Sequence, residues 1–173
     1  MTAYDALIVG AGVCGSTLAR SLGNAGYSVA LVDKDPVCRP VFKAEKIEPD
    51  QVRLLHDLGA LEIALQVATP IRHVTVARSG AIEKVLDICQ YGVAYEDVAN
   101  ALRQSLPGSV TLIGGKVAKV IPSLTAPSID LASGERINAR IVVFAIGVGS
   151  QKLFAPLGVS FNSIRNDHSV CGG

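Results

Sequence analysis

The sequence predicts an α/β fold: a central parallel sheet, a small antiparallel β-meander and an inserted antiparallel strand pair. Three observations predict it. Residues 4–33 read as strand, glycine-rich turn, helix and strand, with Asp33 where the second strand ends. Residues 140–146 read as a further strand of the strongly buried kind. Between about residues 70 and 90 the apolar positions alternate, which reads as an antiparallel excursion from the parallel sheet.

The elements follow in order. Ala6, Leu7, Ile8 and Val9 make a short apolar strand, and Gly10, Gly12 and Gly15 then spell G-x-G-x-x-G. The next helix carries Leu18, Ala19 and Leu22 on one face and ends at Gly26, before a second strand over residues 28–32. A polar, proline-marked stretch covers residues 34–40. A helix opens near Pro49 with Val52, Leu54, Leu55 and Leu58 as its apolar face, stopped by Gly59. A short helix covers residues 61–67. Two strands, with Ile71, Val74 and Val76 on one and Ile82, Val85, Leu86 and Ile88 on the other, join at Ser79-Gly80. Tyr91-Gly92 reads as a break. A helix over residues 95–106 turns Val98, Ala101, Leu102 and Leu106 inward and stops at Pro107-Gly108. Strands at 110–113, 117–121, 129–131 and around Ile137 follow, the last three as a meander crossing over the sheet. The strand at 140–146 leads into Gly147.

Each part of the opening unit has a task in holding a dinucleotide. Gly10 permits the tight turn, Gly12 lets the backbone approach a pyrophosphate, and Gly15 removes a side chain where helix and sheet touch. The helix start offers unpaired N–H groups and the positive end of its dipole to phosphate. Asp33 can accept hydrogen bonds from an adenosine ribose.

The composition excludes several classes. The 173 residues carry 16 basic and 15 acidic side chains, a net charge of +1, and 49% are hydrophobic. That balance argues for a folded chain and against nucleic acid or an anionic membrane as the main partner. No charged leader precedes the first apolar run, and that run is too short to span a bilayer, so a cytoplasmic location is expected. Cys14, Cys38, Cys89 and Cys171 are scattered, and His56, His73 and His168 have no ligand spacing beside them, so no structural metal is expected. Cys14, inside the glycine turn, reads as a small residue facing the helix–strand packing. His56 reads as a surface or half-buried histidine, and Glu96-Asp97 as partners of a helix dipole.

Four blocks carry a family resemblance: IVGAGVCGSTLARSLGNAGYSVALVDK, FKAEKIEPDQVRLLHDLGAL, YGVAYEDVANALRQSLP, and VTLIGGKVAKVI with INARIVVFAIGVGSQKLFAPLGV. In this order they resemble the FAD-binding half of the flavin-dependent monooxygenase superfamily. That group holds aromatic hydroxylases of the para-hydroxybenzoate hydroxylase type, flavin halogenases and geranylgeranyl reductases. The resemblance implies a Rossmann-like FAD-binding domain over residues 1–160. Residues 161–173 are then the start of a missing substrate domain or a disordered tail. It implies that Gly10, Gly12 and Gly15, with Ala11 and Cys14 in the same turn, cradle the FAD pyrophosphate. Asp33 holds the ribose and Lys34 flanks it. Lys43 lies near the phosphates or the flavin side, Val117 offers backbone groups to the adenine, and Ala145 and Gly147 pass close to the cofactor. Three positions depart from the family. Ile146 replaces the aspartate of its A-D-G turn, Tyr95 stands where an arginine is usual, and the downstream G-D motif is missing.

The function implied is an FAD-dependent, monooxygenase-like oxidoreductase acting on a small organic substrate with NAD(P)H as reductant and oxygen. This chain would supply the ADP-binding half and be inactive alone. Two alternatives stand beside it. One is an NAD-dependent dehydrogenase, in which Asp33 would disfavour a 2′-phosphate. The other is a noncatalytic nucleotide-binding fragment exposing an apolar surface for a partner domain or a homodimer.

Overall fold

The computed structural model describes residues 4–41, 44–147, 153–154 and 157–159. The first unit is β1 (Tyr4–Val9), α1 (Val13–Asn24) and β2 (Val29–Asp33). Ala6 to Val9 and Val29 to Val32 are all buried. This explains their unbroken apolar runs, because both faces of β1 and β2 are covered.

The chain continues through β3 (Ala44–Ile47), α2 (Pro49–Asp57), α3 (Leu61–Leu65), β4 (Thr69–Arg78), β5 (Ala81–Ala94) and α4 (Tyr95–Gln104). It ends in β6 (Val110–Gly114), β7 (Val117–Ile121), β8 (Ser128–Leu131) and β9 (Arg136–Phe144). Six strands form one sheet in the order β6-β2-β1-β9-β8-β7. The first four run parallel, and β7, β8 and the start of β9 form the antiparallel meander.

The strand around Ile137 and the strand at 140–146, separate in the sequence reading, are one strand. Residues 136–138 pair with β8, and residues from Ala139 onward pair with β1. No Gly or Pro lies between Ile137 and Arg140, and Asn138 is held extended by its pairing with Ser128, so one segment serves both ladders. β6 and β7 stand at opposite ends of the sheet order, yet only Gly115 and Lys116 separate them. The sheet therefore rolls over itself, and the meander covers one face. Leu7, Val9, Ala30 and Val32 pack there against Val120, Ile129, Leu131 and Ile137. The other face packs Ala6, Ile8, Val29 and Leu31 against Ala19, Leu18 and Leu22 of α1. Each fully buried Leu or Ile contributes roughly 1.5–3 kcal/mol.

The inserted antiparallel pair is a three-stranded sheet, β3-β5-β4. Ser79 and Gly80 form its two-residue turn, with φ of 49° and 82°, as a hairpin matching the strand twist requires. Two expectations change here. β3 is an added strand, and β5 passes unbroken through Tyr91-Gly92, because Gly92 pairs with Lys46 on one side and Thr69 on the other. In α2, Leu54 is 58% exposed and lies off the packed face, whereas Val52 and Leu55 join Ile63, Val98 and Leu102. Glu48 caps this helix, its backbone N–H donating to Gln51 Oε1 at 2.8 Å. α4 ends at Gln104, two residues before the expected Leu106, with Ser105 as its C-cap.

Candidate functional site

β1 delivers the chain into the glycine turn, and each of the three glycines faces a different neighbour. Gly10 has φ of 102°, and a Cβ there would strike the Ala145 carbonyl at the end of β9. A Cβ on Gly15 would overlap the Gly10 carbonyl, so α1 sits directly on the turn. A Cβ on Gly12 would come within 2.5 Å of the Tyr95 hydroxyl, which places the start of α4 against the turn. Gly12 is the N-cap of α1. No side chain caps that end, and no acidic residue lies in its first turn. The first α-helical bond runs from Ser16 N–H to the Gly12 carbonyl at 2.9 Å. The preceding amides and the helix dipole are thus available to an anion.

Asp33 faces this turn. Its Oδ2 accepts the Ala11 N–H at 2.7 Å, and its Oδ1 accepts the Asp35 N–H at 2.9 Å. Oδ1 keeps a lone-pair direction for a further donor, such as a ribose hydroxyl. Ala11 is buried, and the Ser16 hydroxyl donates to its carbonyl at 3.0 Å.

The other sequence candidates fall in different places. Cys14 is exposed, so its thiol does not face the helix–strand packing. The buried α1 residues are instead Gly15, Ser16, Thr17, Ala19 and Gly23. Lys34 is exposed, with its Nζ 3.5 Å from the Asp35 carboxylate. Val117 packs half-buried on the meander core. Its segment starts beside Asp33, where Gly115 N–H donates to the Asp33 carbonyl at 2.7 Å. Ala145 N–H donates to the Val9 carbonyl at 2.8 Å, fixing the end of β9 against the turn. Gly147 is exposed, with φ of 62°. Lys43 lies outside the described residues, as does the segment 161–173. His56 is exposed beside Asp57, and Glu96 and Asp97 lie in the first turn of α4.

The sequence reading missed the polar face of α4. Glu96, Asn100 and Arg103 recur at helical spacing and face the loop after β2. Asn100 brackets Cys38, accepting its N–H at 2.8 Å and donating to its carbonyl at 3.0 Å. Arg103 is buried and reaches Ala11, Asp33 and Asp35. Burial pushes the Cys38 thiol above its ordinary value, with nearby Arg103 opposing. Among the described residues, Glu96 Oε2 is buried without a hydrogen-bond partner. The periodicity of these polar positions was visible in the sequence. An arginine in a last helical turn, however, has an adequate local explanation in the helix dipole.

Comparison with known proteins adds to this geometry. The family described as FAD binding domain matches residues 3–123. The FAD-dependent monooxygenase pynG of Aspergillus niger is 28% identical over 83% of this chain and 36% of its own length. The 3-amino-4-hydroxybenzoate 2-monooxygenase of Streptomyces cremeus is 26% identical over 83% of this chain and 39% of its own. The chain thus spans less than two fifths of these two relatives. The structure of p-nitrophenol 4-monooxygenase PnpA from Pseudomonas putida DLL-E4 superposes with a TM-score of 0.79. It shares 19% identity, over 94% of this chain and 45% of that one. At that identity the likeness is one of fold.

Proposed function

This chain belongs to the FAD binding domain family, and on that premise we propose that it supplies the adenosine-diphosphate half of the flavin site in an FAD-dependent, monooxygenase-like oxidoreductase. One observation carries the reading. The Asp33 carboxylate is joined to Ala11 at the mouth of a helix whose N-terminus has no side-chain cap and no acid in its first turn. That donor set suits a diphosphate flanked by a ribose. In the proposal, the amides of the Gly12–Gly15 segment hold the pyrophosphate and Asp33 accepts the ribose hydroxyls. The Tyr95 hydroxyl borders the phosphates, and Gly147 borders the cofactor at the end of β9. The role given to Val117 is limited to its backbone, since its side chain packs on the core. Lys34 would act only at the rim.

FAD, when bound, supplies the redox chemistry, with NAD(P)H as reductant and oxygen and a small organic molecule as substrates of the whole protein. This chain binds and orients the cofactor and alone is inactive. The nicotinamide-dehydrogenase alternative draws no support from the family match. Exposed Ile82, Val85 and Leu86 on β5 support a partner domain on that sheet. Among the described residues no helix is long and apolar enough to cross a membrane. A cytoplasmic location remains part of the proposal, resting on the scattered cysteines.

The test is a titration of the purified chain with FAD, followed by flavin fluorescence, with ADP as competitor. Saturable binding displaced by ADP is expected. An absence of binding at micromolar FAD, with the chain folded, would overturn the reading.

A further inference from the structure

Arg103 takes no part in the sequence motif, yet three groups of the glycine-turn site converge on it. Its Nε donates to the Ala11 carbonyl at 2.6 Å, its Nη1 donates to the Asp35 carbonyl at 2.7 Å, and its Nη2 lies 3.5 Å from Asp33 Oδ2. The side chain is 6% exposed. Ala11 is thereby held at both ends of its backbone, its N–H by the carboxylate and its carbonyl by the guanidinium. The planar fork of an arginine can serve three acceptors in fixed directions, which a lysine ammonium cannot reproduce.

The electrostatics point the same way. A diphosphate must settle close to an ionised Asp33, with Asp35 two residues on. Lys34 and Arg39 are exposed and pair with Asp35. Tyr95 brings a neutral hydroxyl to the position where the family resemblance implies an arginine. Among the described residues, Arg103 is the buried cation at the turn, in contact with the carboxylate that the phosphates must tolerate.

We propose that Arg103 is a positioning residue for dinucleotide diphosphate binding. It locks Ala11 and Asp33 into one unit and offsets the carboxylate charge, so that Asp33 can accept from the ribose beside a diphosphate. This inference rests on the FAD reading above. It adds a residue of α4, 92 positions from the turn it braces.

The experiment measures dissociation constants for FAD, ADP and adenosine in wild type, Arg103→Met, Arg103→Lys, Asp33→Asn and the Arg103→Met/Asp33→Asn pair. Thermal melts establish that each is folded. Arg103→Met is expected to weaken FAD and ADP by about tenfold or more, and adenosine by less. In the Asp33→Asn background its further effect should shrink to about threefold or less, because coupled residues are not additive. Arg103→Lys should keep part of the ADP-over-adenosine preference through its charge, and it stands in if the methionine variant does not fold. Alkylation of exposed Cys14 gives a second readout, since FAD should slow it in wild type and less in Arg103→Met. A purely structural role would weaken all three ligands equally and leave the two substitutions additive, and either result overturns the inference. Wild type that fails to bind FAD overturns the functional reading and this inference with it. Wild type that binds, with Arg103→Met or Arg103→Lys binding equally well, overturns the inference alone.

Discussion

The glycine turn and the β4–β5 hairpin lie in one chain and are stabilised in opposite ways. Around the turn, hydrogen bonding and packing coincide. β1 and β2 are laddered on both sides, their side chains are covered by α1 on one face and by the meander on the other, and the turn touches Ala145, Tyr95 and Arg103. The hairpin has strands of 10 and 14 residues and a well-formed turn, yet Ile82, Val85 and Leu86 remain exposed. Ladder formation and burial are therefore separate contributions. Each backbone hydrogen bond adds only about 1 kcal/mol net, and a ribbon without a packed face is marginal in water.

The largest test of this contrast is Gly15→Ala. The added Cβ would overlap the Gly10 carbonyl, a backbone group of the turn, while α1 is packed on the sheet. We expect a loss on the order of 3 kcal/mol, read from urea unfolding. Unchanged stability would show that the turn is looser than its contacts imply. Asp33→Asn comes next. It leaves the Arg103 guanidinium, 6% exposed, facing a neutral amide. About 2 kcal/mol of destabilisation is expected, together with weaker FAD binding.

Thiol chemistry sharpens the comparison within one molecule. Cys14 lies at the turn and Cys89 on the hairpin, both exposed, while burial raises the Cys38 thiol. With iodoacetamide at mildly alkaline pH, Cys14 and Cys89 should react before Cys38. FAD should protect Cys14 and leave Cys89 unaffected, as peptide mapping would report. Equal protection of both would mean that the cofactor reaches the hairpin. On the hairpin itself, Val85→Thr should change stability by no more than about 0.5 kcal/mol, since Val85 is 57% exposed. Amide hydrogens of residues 82–87 should exchange faster than those of β1 and β2.

The smallest effect concerns acid. Ser28, through its backbone N–H and its hydroxyl, and then Arg140 hold Asp5 below the ordinary carboxylate value. Arg136 does the same for Asp130. A carboxylate whose folded value is depressed contributes fully above its unfolded value, near pH 4. That contribution is lost as pH falls through the folded value. Thermal stability should therefore drop below about pH 4, and Asp5→Asn should make the drop shallower. A profile identical to wild type would remove Asp5 from the account.

Legibility in the sequence followed the range of the interaction. Gly10, Gly12, Gly15 and Asp33 could be read because a turn, a helix start and a strand end lie within about thirty residues, all constrained by local backbone geometry. The same holds for Ser79-Gly80. β3 could not be read: Ala44 to Ile47 has two charges in four residues and becomes a strand only because β5 pairs with it. Leu54 was misplaced because a helical repeat specifies an apolar face but not which part of it a neighbour covers. Arg103 was missed because its partners come from another part of the chain.

By itself, then, the sequence determined the dinucleotide-binding unit and the family to which it belongs. A positive φ, a missing Cβ and a continuous apolar run are imposed by residues next to one another. Only the tertiary structure decided that α4 braces the turn, that β9 serves two ladders, and that Ile82, Val85 and Leu86 of β5 are left exposed among the described residues. Those outcomes depend on which distant surfaces meet, and that is set by how the sheet rolls and where the helices land rather than by any local preference.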